Sequence, residues 1–336
     1  MGNSLDTSNW KYNCDDYILD IISIRNKNNL IVISSNGKIV LLERKTGEVV
    51  KESNLPVNIV FFASKNSEND FIIVGTDLGF YSIDSSLNVI HFYSTNKWAE
   101  KGRWNNSGNV FFGAVGKNLC IFKYQNNQLE LISEDSSFES SISAIICNDN
   151  AFIVSNYGGV RLYESKNNFE FELFPWKTSL LELAWSPDKK YIASGTQENA
   201  VHFWPYPFKK DQDFEISGYD SKITHLCWSE DSNYLAINAS EDICIWPFID
   251  GPPFGQKPHV LVGNKGKITT LFFKNNTVIA GTAKGYVLFH YPSKSNQIMQ
   301  LNYVANEVTQ ILVDEENYEF FVGTKEGEVF SFDIEI

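Results

Sequence analysis

Three features of this 336-residue sequence predict an all-β fold. Short apolar runs that are rich in β-branched and aromatic residues recur along the chain, and turn-forming residues bound them. Many of these runs alternate apolar with polar residues, which is the two-residue period of a strand buried on one side. No stretch of about 12 residues or more shows apolar residues at the helical period, so we expect almost no helix.

A repeat organises the predicted strands. Each repeat has an apolar run, a pair of small residues, a polar turn and an alternating apolar run. The pairs lie 38 to 43 residues apart at Ser34-Ser35, Gly75-Thr76, Gly113-Ala114, Ser155-Asn156, Gly195-Thr196, Asn238-Ala239, Gly281-Thr282 and Gly323-Thr324. A period of about 40 to 45 residues is typical of four-stranded propeller blades. The sequence therefore predicts a single closed β-propeller of eight four-stranded blades, with seven blades as the alternative.

Each repeat supplies the same kinds of strand. Apolar runs such as Tyr191–Ala193 precede the small pair, and third strands such as Val201–Trp204 and Ile243–Trp246 follow the polar turn. Innermost strands such as Ile223–Trp228 lie about 20 residues before the third strands. One domain is predicted over residues 1–336, with blades that start near 17, 57, 100, 139, 179, 222, 267 and 307.

The two chain ends are predicted to share a blade. The last repeat ends on its third strand, and residues 7–13 precede the first innermost strand with no partner in their own repeat. Pairing these residues with the last blade would close the ring and hide its strand edges. We therefore predict that residues 7–13 complete the last blade.

Repeat five carries a family resemblance. Residues Leu183–Asp188 have the sequence LAWSPD, Tyr191–Thr196 have YIASGT and Val201–Trp204 have VHFW. This repeat resembles a WD40 repeat, and repeat six, with CWSED at Cys227–Asp231, is similar. The resemblance is clearest over residues 179–291. It implies a β-propeller and a non-enzymatic scaffold that binds proteins through its loop faces, although one fold can host many functions.

The chain departs from the WD40 pattern at two kinds of position. Gly218-Tyr219 and Gly263-Asn264 stand where the family has Gly-His, and Trp204-Pro205 and Trp246-Pro247 stand where it has Trp-Asp. The resemblance therefore implies that the family's hydrogen-bonded tetrad of His, Asp, hydroxyl and Trp is largely missing. We expect apolar packing between sheets to stabilise the blades, and the chain has 25 Phe and 15 Tyr for it.

The charge balance disfavours several partners. Lys and Arg number 28 and Asp and Glu number 41, which gives a net charge of −13 with no run rich in basic residues. Nucleic acids and anionic membrane surfaces repel such a chain, so we expect neither as a partner. No apolar stretch is long enough for a membrane span. We expect a protein or peptide partner, with a basic peptide favoured electrostatically, and a chain that is a monomer or part of a larger complex.

The cysteines predict a reducing compartment. Cys14, Cys120, Cys147, Cys227 and Cys244 show no CxxC spacing, and four of them lie in apolar runs. This pattern indicates buried reduced thiols rather than a disulfide framework. Residues 1–16 are too polar to contain the apolar core of a signal peptide. We therefore expect a cytoplasmic protein.

No motif predicts catalysis. The five histidines are spread along the chain without metal-ligand spacing, and no GxSxG, P-loop or GxGxxG motif lies between a strand and a helix. We predict no enzyme activity, no cofactor and no metal. The alternative is a propeller hydrolase or small-ligand binder at the mouth of the central channel, which converging carboxylates or a metal would favour.

Two proline-rich loops are the first candidate for partner binding. Trp204–Lys210 and Trp246–Pro258 contain six of the ten prolines, and their repeats are adjacent. We expect the two loops to form one surface on the bottom face, which we call the aromatic ledge. Rigid, partly exposed aromatic rings are typical of binding hot spots, so the candidate residues are Tyr206, Phe208, Phe248 and Phe254. The alternative is that these rings fold back and seal the blades.

A second candidate lies at the predicted top face. Trp98 and Trp176 each precede an innermost strand by two or three residues, near the predicted channel mouth. Arg103 occupies a column that Ala184 and Cys227 hold in other repeats. A desolvated Arg requires a carboxylate, so we expect a structural ion pair there. The alternative is a channel-mouth site for an acidic or aromatic ligand.

Overall fold

The computed structural model describes residues 8–25, 28–148, 151–209, 211–261, 265–292, 298–314 and 316–334. Among these residues the only helical element is one turn of 3-10 helix at Ser165–Asn167. The prediction of almost no helix is therefore confirmed. Within the same ranges, no helix has the length and apolarity needed to cross a membrane.

Strands make up most of the described part of the chain. Their bounds are β1 (Trp10–Asn13), β2 (Ile18–Ser23), β3 (Asn29–Ser34), β4 (Lys38–Glu43), β5 (Val49–Asn54), β6 (Val60–Lys65), β7 (Ile72–Thr76), β8 (Gly79–Ile83), β9 (Val89–Ser94), β10 (Ala99–Trp104), β11 (Val110–Val115), β12 (Asn118–Gln125), β13 (Gln128–Asp135), β14 (Ala144–Cys147), β15 (Ala151–Glu164), β16 (Phe171–Trp185), β17 (Tyr191–Thr196), β18 (Val201–Pro205), β19 (Phe214–Ile216), β20 (Leu226–Trp228), β21 (Tyr234–Ala239), β22 (Asp242–Pro247), β23 (His259–Leu261), β24 (Ile268–Lys274), β25 (Thr277–Thr282), β26 (Tyr286–His290), β27 (Gln300–Tyr303), β28 (Val308–Asp314), β29 (Glu319–Thr324) and β30 (Glu328–Asp333).

These strands form seven sheets, and every described strand pairing is antiparallel. Six sheets have four strands each, namely β2–β5, β6–β9, β10–β13, β20–β23, β24–β27 and the sheet with the order β1-β30-β29-β28. The remaining sheet contains the six strands β14–β19. The fold is an all-β propeller of seven blades.

The blade count corrects the main prediction. The alternative of seven blades is supported, whereas the prediction of eight is not. The difference arises at repeats four and five, whose strands lie in one sheet. Its strands β15 and β16 have 14 and 15 residues and each spans two strand positions of the sequence period. Eight sequence repeats are therefore distributed over seven sheets.

The described strands divide into two compact units. The first unit contains Asn9–Lys177 and Glu326–Ser331, and the second is built on Thr178–Lys325. The single domain over residues 1–336 stays a prediction.

The N-terminal strand is where the sequence predicts it. Within the first unit β1 pairs with β30, from Trp10 opposite Ser331 to Asn13 opposite Glu328. The Trp10 indole Nε1 also donates a hydrogen bond to the Arg44 carbonyl at 2.8 Å. The prediction that this segment completes the last blade is confirmed from Trp10 onward, while its first residue, Thr7, lies outside the described residues.

The small pairs allow neighbouring sheets to approach closely. A Cβ atom added to Gly75 would overlap the carbonyl oxygen of Ala99 at the start of β10. A Cβ atom on Gly195 would overlap the carbonyl of Ile223, and one on Gly281 would overlap the Val308 side chain. The next innermost strand, or the segment leading into it, therefore packs directly on the glycine. This contact explains why the period is marked by small residues.

Repeat six shows a local departure from the predicted strands. The sequence predicts the innermost strand over Ile223–Trp228, but β20 begins only at Leu226. The Asn238 side-chain oxygen accepts hydrogen bonds from the N–H groups of Thr224 and His225 at 2.9 and 2.8 Å. A side chain thus takes the place of the backbone partner that would extend the strand.

Candidate functional site

Prolines determine where the aromatic ledge begins. In the second unit β18 ends at Pro205 and β22 ends at Pro247. Proline has no N–H group for a strand ladder, so the chain leaves the sheet at both positions. The Tyr206-Pro207 peptide bond in the first loop is cis, and Lys210 at the end of that loop lies outside the described residues.

Phe248 lies in the core rather than on the surface. Its ring is 5% exposed, and its centroid lies 4.7 Å from Trp228, 5.5 Å from Tyr191 and 5.6 Å from Phe203. Phe248 therefore fills the space between two sheets, which is the sealing role that the alternative interpretation of the ledge describes.

Tyr206 and Phe208 occupy an intermediate position. Both rings are half-buried, and their centroids lie 5.7 Å apart. Tyr206 also packs edge-on against Trp185 at 5.0 Å. This pair covers the end of β16 and still presents part of its surface to solvent.

Phe254 is the exposed ring of the ledge. It is 69% exposed and rests edge-on against Phe214 at 5.1 Å. Ile249, which the sequence reasoning did not select, is 60% exposed and follows the buried Phe248 directly. The residue order Phe-Ile-Asp after Pro247 offers no sign of which apolar side chain points outward. A partner at the ledge can therefore contact the side chain of Ile249 but not that of Phe248.

The rim of the ledge carries charges of both signs. Lys209 and Lys257 are exposed near it, and so are Asp211, Asp213 and Asp250. The Asp213 Oδ2 atom lies 3.2 Å from Nε2 of the buried His202. The rim is therefore mixed rather than strongly acidic.

Trp98 is an exposed anchor in the first unit. It is 56% exposed and precedes β10, and its ring packs against Phe61 at 5.2 Å. The backbone of Trp98 is fixed because its carbonyl accepts a hydrogen bond from Gly116 at 3.1 Å. One face of the indole is thus supported and much of the remainder meets solvent.

Trp176 lies within β16 and is half-buried. The Lys177 ammonium lies 5.7 Å from the centre of its ring. With Pro175, these two residues line a shallow apolar pocket of about 370 Å³. The sequence predicts that Trp176 precedes an innermost strand, whereas the structure places it inside the long strand β16 with part of its ring exposed.

Arg103 is placed differently from the expectation. It lies near the end of β10, whereas Trp98 precedes the start of the same strand, so about 16 Å of extended chain separates them. Its side chain is exposed, and among the described residues no carboxylate lies within ion-pair distance. The expected structural ion pair is not found there because the guanidinium remains in water and needs no compensating charge.

One replaced dipeptide keeps a hydrogen bond to tryptophan. Tyr219, which stands where the WD40 pattern has His, accepts a hydrogen bond on its hydroxyl from Trp246 Nε1 at 2.7 Å. Both side chains are half-buried. This contact was not predicted, because a tyrosine at this position is not part of the WD40 pattern. The other replaced dipeptide, Gly263-Asn264, lies outside the described residues.

Possible metal ligands and buried carboxyl groups bear on the alternative of a propeller hydrolase. Within the described ranges, no group of three or more His, Cys, Asp or Glu side chains could hold a metal ion. Asp20 on the innermost strand β2 is the notable carboxylate, since burial raises its pKa to about 7 while the Ile21 N–H partly offsets that effect. General acid–base hydrolysis of the glycosidase type requires a second carboxyl group at a suitable distance.

Comparison with known proteins supports the fold and the repeat type. Residues 174–205, which include β17 and β18, match the family model described as WD domain, G-beta repeat. The resemblance to WD40 repeats is therefore confirmed. No curated protein matches the chain.

Two solved structures share the fold at low identity. The computationally designed Ika8 protein is 17% identical with a TM-score of 0.80, covering 96% of this chain and 98% of the other. Sqt1 of Saccharomyces cerevisiae is 12% identical with a TM-score of 0.83, covering 97% and 98%. In all, 1853 solved chains match this structure. Such a broad similarity identifies the fold but no single function.

Proposed function

We propose that this chain, a β-propeller with WD40 repeats, is a non-enzymatic scaffold that binds a protein or peptide through its loops. The observation that carries the proposal is the aromatic ledge, where Phe254 and Ile249 are 69% and 60% exposed on a loop bounded by prolines. Large apolar side chains that are exposed together on one loop are favourable contact residues.

The ledge has the physical properties of a binding hot spot. Phe254 rests on Phe214, and Pro252 and Pro253 restrict the backbone before it. A side chain held in this way loses little conformational freedom when a partner covers it, so more of the burial energy contributes to affinity. Phe208, which contacts Tyr206, offers a second ring in the neighbouring loop.

The partner class follows from the overall charge. A chain with a net charge of −13 favours partners with basic surfaces and slows encounters with acidic ones. We propose a basic protein or peptide at the ledge, rather than nucleic acid or a membrane surface. A cytoplasmic location belongs to the same proposal, because five free cysteines suit a reducing compartment.

Comparative affinity capture from the native cell tests this proposal. The bait proteins are the unsubstituted chain, a variant with Phe208→Ser and Phe254→Ser, and a control with Tyr318→Ser, which removes an aromatic ring that is 56% exposed elsewhere in the second unit. We expect at least one protein to be recovered with the unsubstituted chain and the control but not with the double variant. Mass spectrometry identifies it.

Thermal melts of the three baits accompany the capture. Since Phe254 lies mostly in solvent and Phe208 is half-buried, we expect the melting temperature of the double variant to fall by no more than about 4 °C relative to the control. Equal recovery of every captured protein by all three baits would overturn the ledge as the binding surface. Loss of folding in the double variant would support the sealing role instead.

A further inference from the structure

The innermost strand β10 carries two cations on one face. Lys101 pairs with Ala114 and Arg103 pairs with Phe112 in the regular ladder that follows the bulge after Ala99. Residues two apart in a strand project from the same face about 7 Å apart. Both side chains are exposed, and within the described part of the chain neither has a carboxylate at ion-pair distance.

Arg103 opens onto a cleft in the first unit. The cleft has a volume of about 370 Å³, and Ser64, Lys65, Arg103, Trp104, Asn106 and Cys147 contribute to its lining. Two hydrogen bonds fix its walls. Trp104 Nε1 donates to the Ser64 carbonyl at 3.0 Å, and Cys147 Sγ donates to the Trp104 carbonyl at 2.8 Å. The cleft is thus bounded by the ends of three innermost strands.

The charges around the cleft are predominantly basic. The Lys65 ammonium pairs with Asp70 at 2.8 Å, and the Arg25 guanidinium donates to the Ser67 carbonyl at 2.9 Å. Glu68 is the other carboxylate of this loop and is exposed. Among the described residues, Lys65 and Arg103 line the cleft, Arg25 contacts its lining residue Ser67 and Lys101 lies two residues before Arg103, against these two acidic residues. The net charge of the protein is −13. The surroundings of the cleft are therefore positively charged in a protein whose net charge is negative.

We propose that this cleft and the adjoining face of β10 bind an extended acidic segment of a protein, with one carboxylate on Arg103 in the cleft and a second, two residues along, on Lys101 beside it. An extended chain repeats its side chains on one face about every 7 Å, which matches the spacing of the two cations. A guanidinium offers paired N–H donors to a carboxylate, and such charge-assisted hydrogen bonds are stronger than neutral ones. The acidic protein as a whole repels long polyanions, so a short carboxylate segment fits better than a nucleic acid.

This site is independent of the proposed function. The cleft lies in the first unit and is proposed to bind an acidic segment. The aromatic ledge lies in the second unit and is proposed to bind a basic partner. Substitutions in β10 leave the ledge side chains intact. Failure of one proposal therefore does not imply failure of the other.

Peptide binding measured by fluorescence anisotropy tests the cleft. The probe is a labelled Gly-Glu-Ser-Glu-Gly peptide with blocked ends, and the matched peptide carries Gln in place of both Glu residues. The proteins are the full chain, Arg103→Gln, Lys101→Gln and a control, Lys123→Gln, which removes an exposed cation from β12. We expect Arg103→Gln to weaken binding of the Glu peptide at least about tenfold, Lys101→Gln to weaken it less, and Lys123→Gln to leave it unchanged.

Added salt should weaken binding of the Glu peptide to the full chain, because the contacts are between exposed charges. Melting temperatures of all four proteins should agree, since the substituted side chains are exposed. Binding of the Gln peptide with the same affinity, or unchanged binding by Arg103→Gln, would overturn the proposal. It would also be overturned if inorganic phosphate bound at the cleft more tightly than the Glu peptide, because the site would then recognise a free anion.

Discussion

Arg161 is a buried cation that the sequence reasoning did not single out. Its guanidinium lies between the rings of Phe138 and Phe171, 3.8 and 4.2 Å from their centres. Nη1 pairs with Asp135 at 2.7 Å, and the Tyr163 hydroxyl donates to the same carboxylate at 2.5 Å. Charge, ring contacts and hydrogen bonds thus connect β13, β15 and β16 within the first unit. No sequence motif marks the group, because its members are brought together only by the fold.

The Asp135 cluster predicts a pH-dependent stability. Burial opposes the charged form of Asp135, but hydrogen bonds from Ser137, Tyr163 and Arg161 outweigh it and hold the pKa below its usual value. The carboxylate therefore stabilises the fold above about pH 4, and this contribution is lost as the pH falls through the lowered pKa. We expect Asp135→Asn to reduce the free energy of unfolding by about 3 kcal/mol at pH 7, because Arg161 loses its buried counter-ion.

Urea unfolding at several pH values measures this effect. The difference between the unsubstituted chain and Asp135→Asn should shrink as the pH is lowered from 5 toward 2. Asp250→Asn, which changes an exposed carboxylate, serves as the control and should alter stability little at any pH. A difference that stays constant over the whole range would show that the charge of Asp135 is not the cause.

Neighbouring side chains of the aromatic ledge have opposite environments. Phe248 is 5% exposed and Ile249 is 60% exposed, although both follow the same proline. The sequence predicts that this loop is rich in rigid apolar residues, and the structure has such a loop. Which ring seals the sheets depends on contacts with Tyr191 and Trp228, which come from distant parts of the chain.

At the scale of elements, the repeat period predicts strands well. The third strands expected at Val201–Trp204 and Ile243–Trp246 lie within β18 and β22. Short apolar runs bounded by turn formers are sufficient to predict these strands, and the structure buries both faces of each over most of its length. The period does not predict how strands are grouped into sheets, since hydrogen bonds between strands decide that. Repeats four and five consequently share one sheet.

Strand β1 is an element whose removal should be costly. Its pairing with β30 and the burial of Trp10, which is 9% exposed, both depend on residues before Cys14. We expect deletion of residues 1–14 to lower the melting temperature by at least about 5 °C, because a strand edge and a large apolar surface become exposed. Circular dichroism melts measure the change.

Trp10→Ala separates the two contributions of β1. This variant keeps the strand pairing and loses the indole contacts, including the hydrogen bond to the Arg44 carbonyl. It should melt between the unsubstituted and the truncated protein. Identical melting temperatures for all three proteins would contradict a structural role for β1.

At the scale of the whole molecule, the cysteines are free and mostly shielded. Cys14, Cys120 and Cys244 are buried, and Cys147 and Cys227 are half-buried. Burial raises the pKa of Cys120 to about 12 and that of Cys244 to about 11, with nearby carboxylates adding to both. A thiol that stays protonated is a poor nucleophile, so the native protein should resist thiol reagents.

Titration with a chromogenic disulfide reagent tests the state of the thiols. We expect at most the two half-buried cysteines to react quickly in the native protein and all five to react in denaturant. A reducing agent should not change the melting temperature, because no disulfide is present to be broken. Fewer than five reactive thiols in denaturant, or a melt that depends on the reducing agent, would contradict reduced buried cysteines.

The all-β class, the repeat period, the position of the N-terminal strand and the resemblance to WD40 repeats could all be predicted from the order of residues alone. These features depend on local alternation and on spacing along the chain, which the order of residues contains directly. The seven sheets, the burial of Phe248, the exposure of Ile249 and the position of Arg103 in the lining of a cleft are known only from the three-dimensional structure. Each of these depends on contacts between residues far apart in the chain, where exposure and charge are determined by what packs alongside.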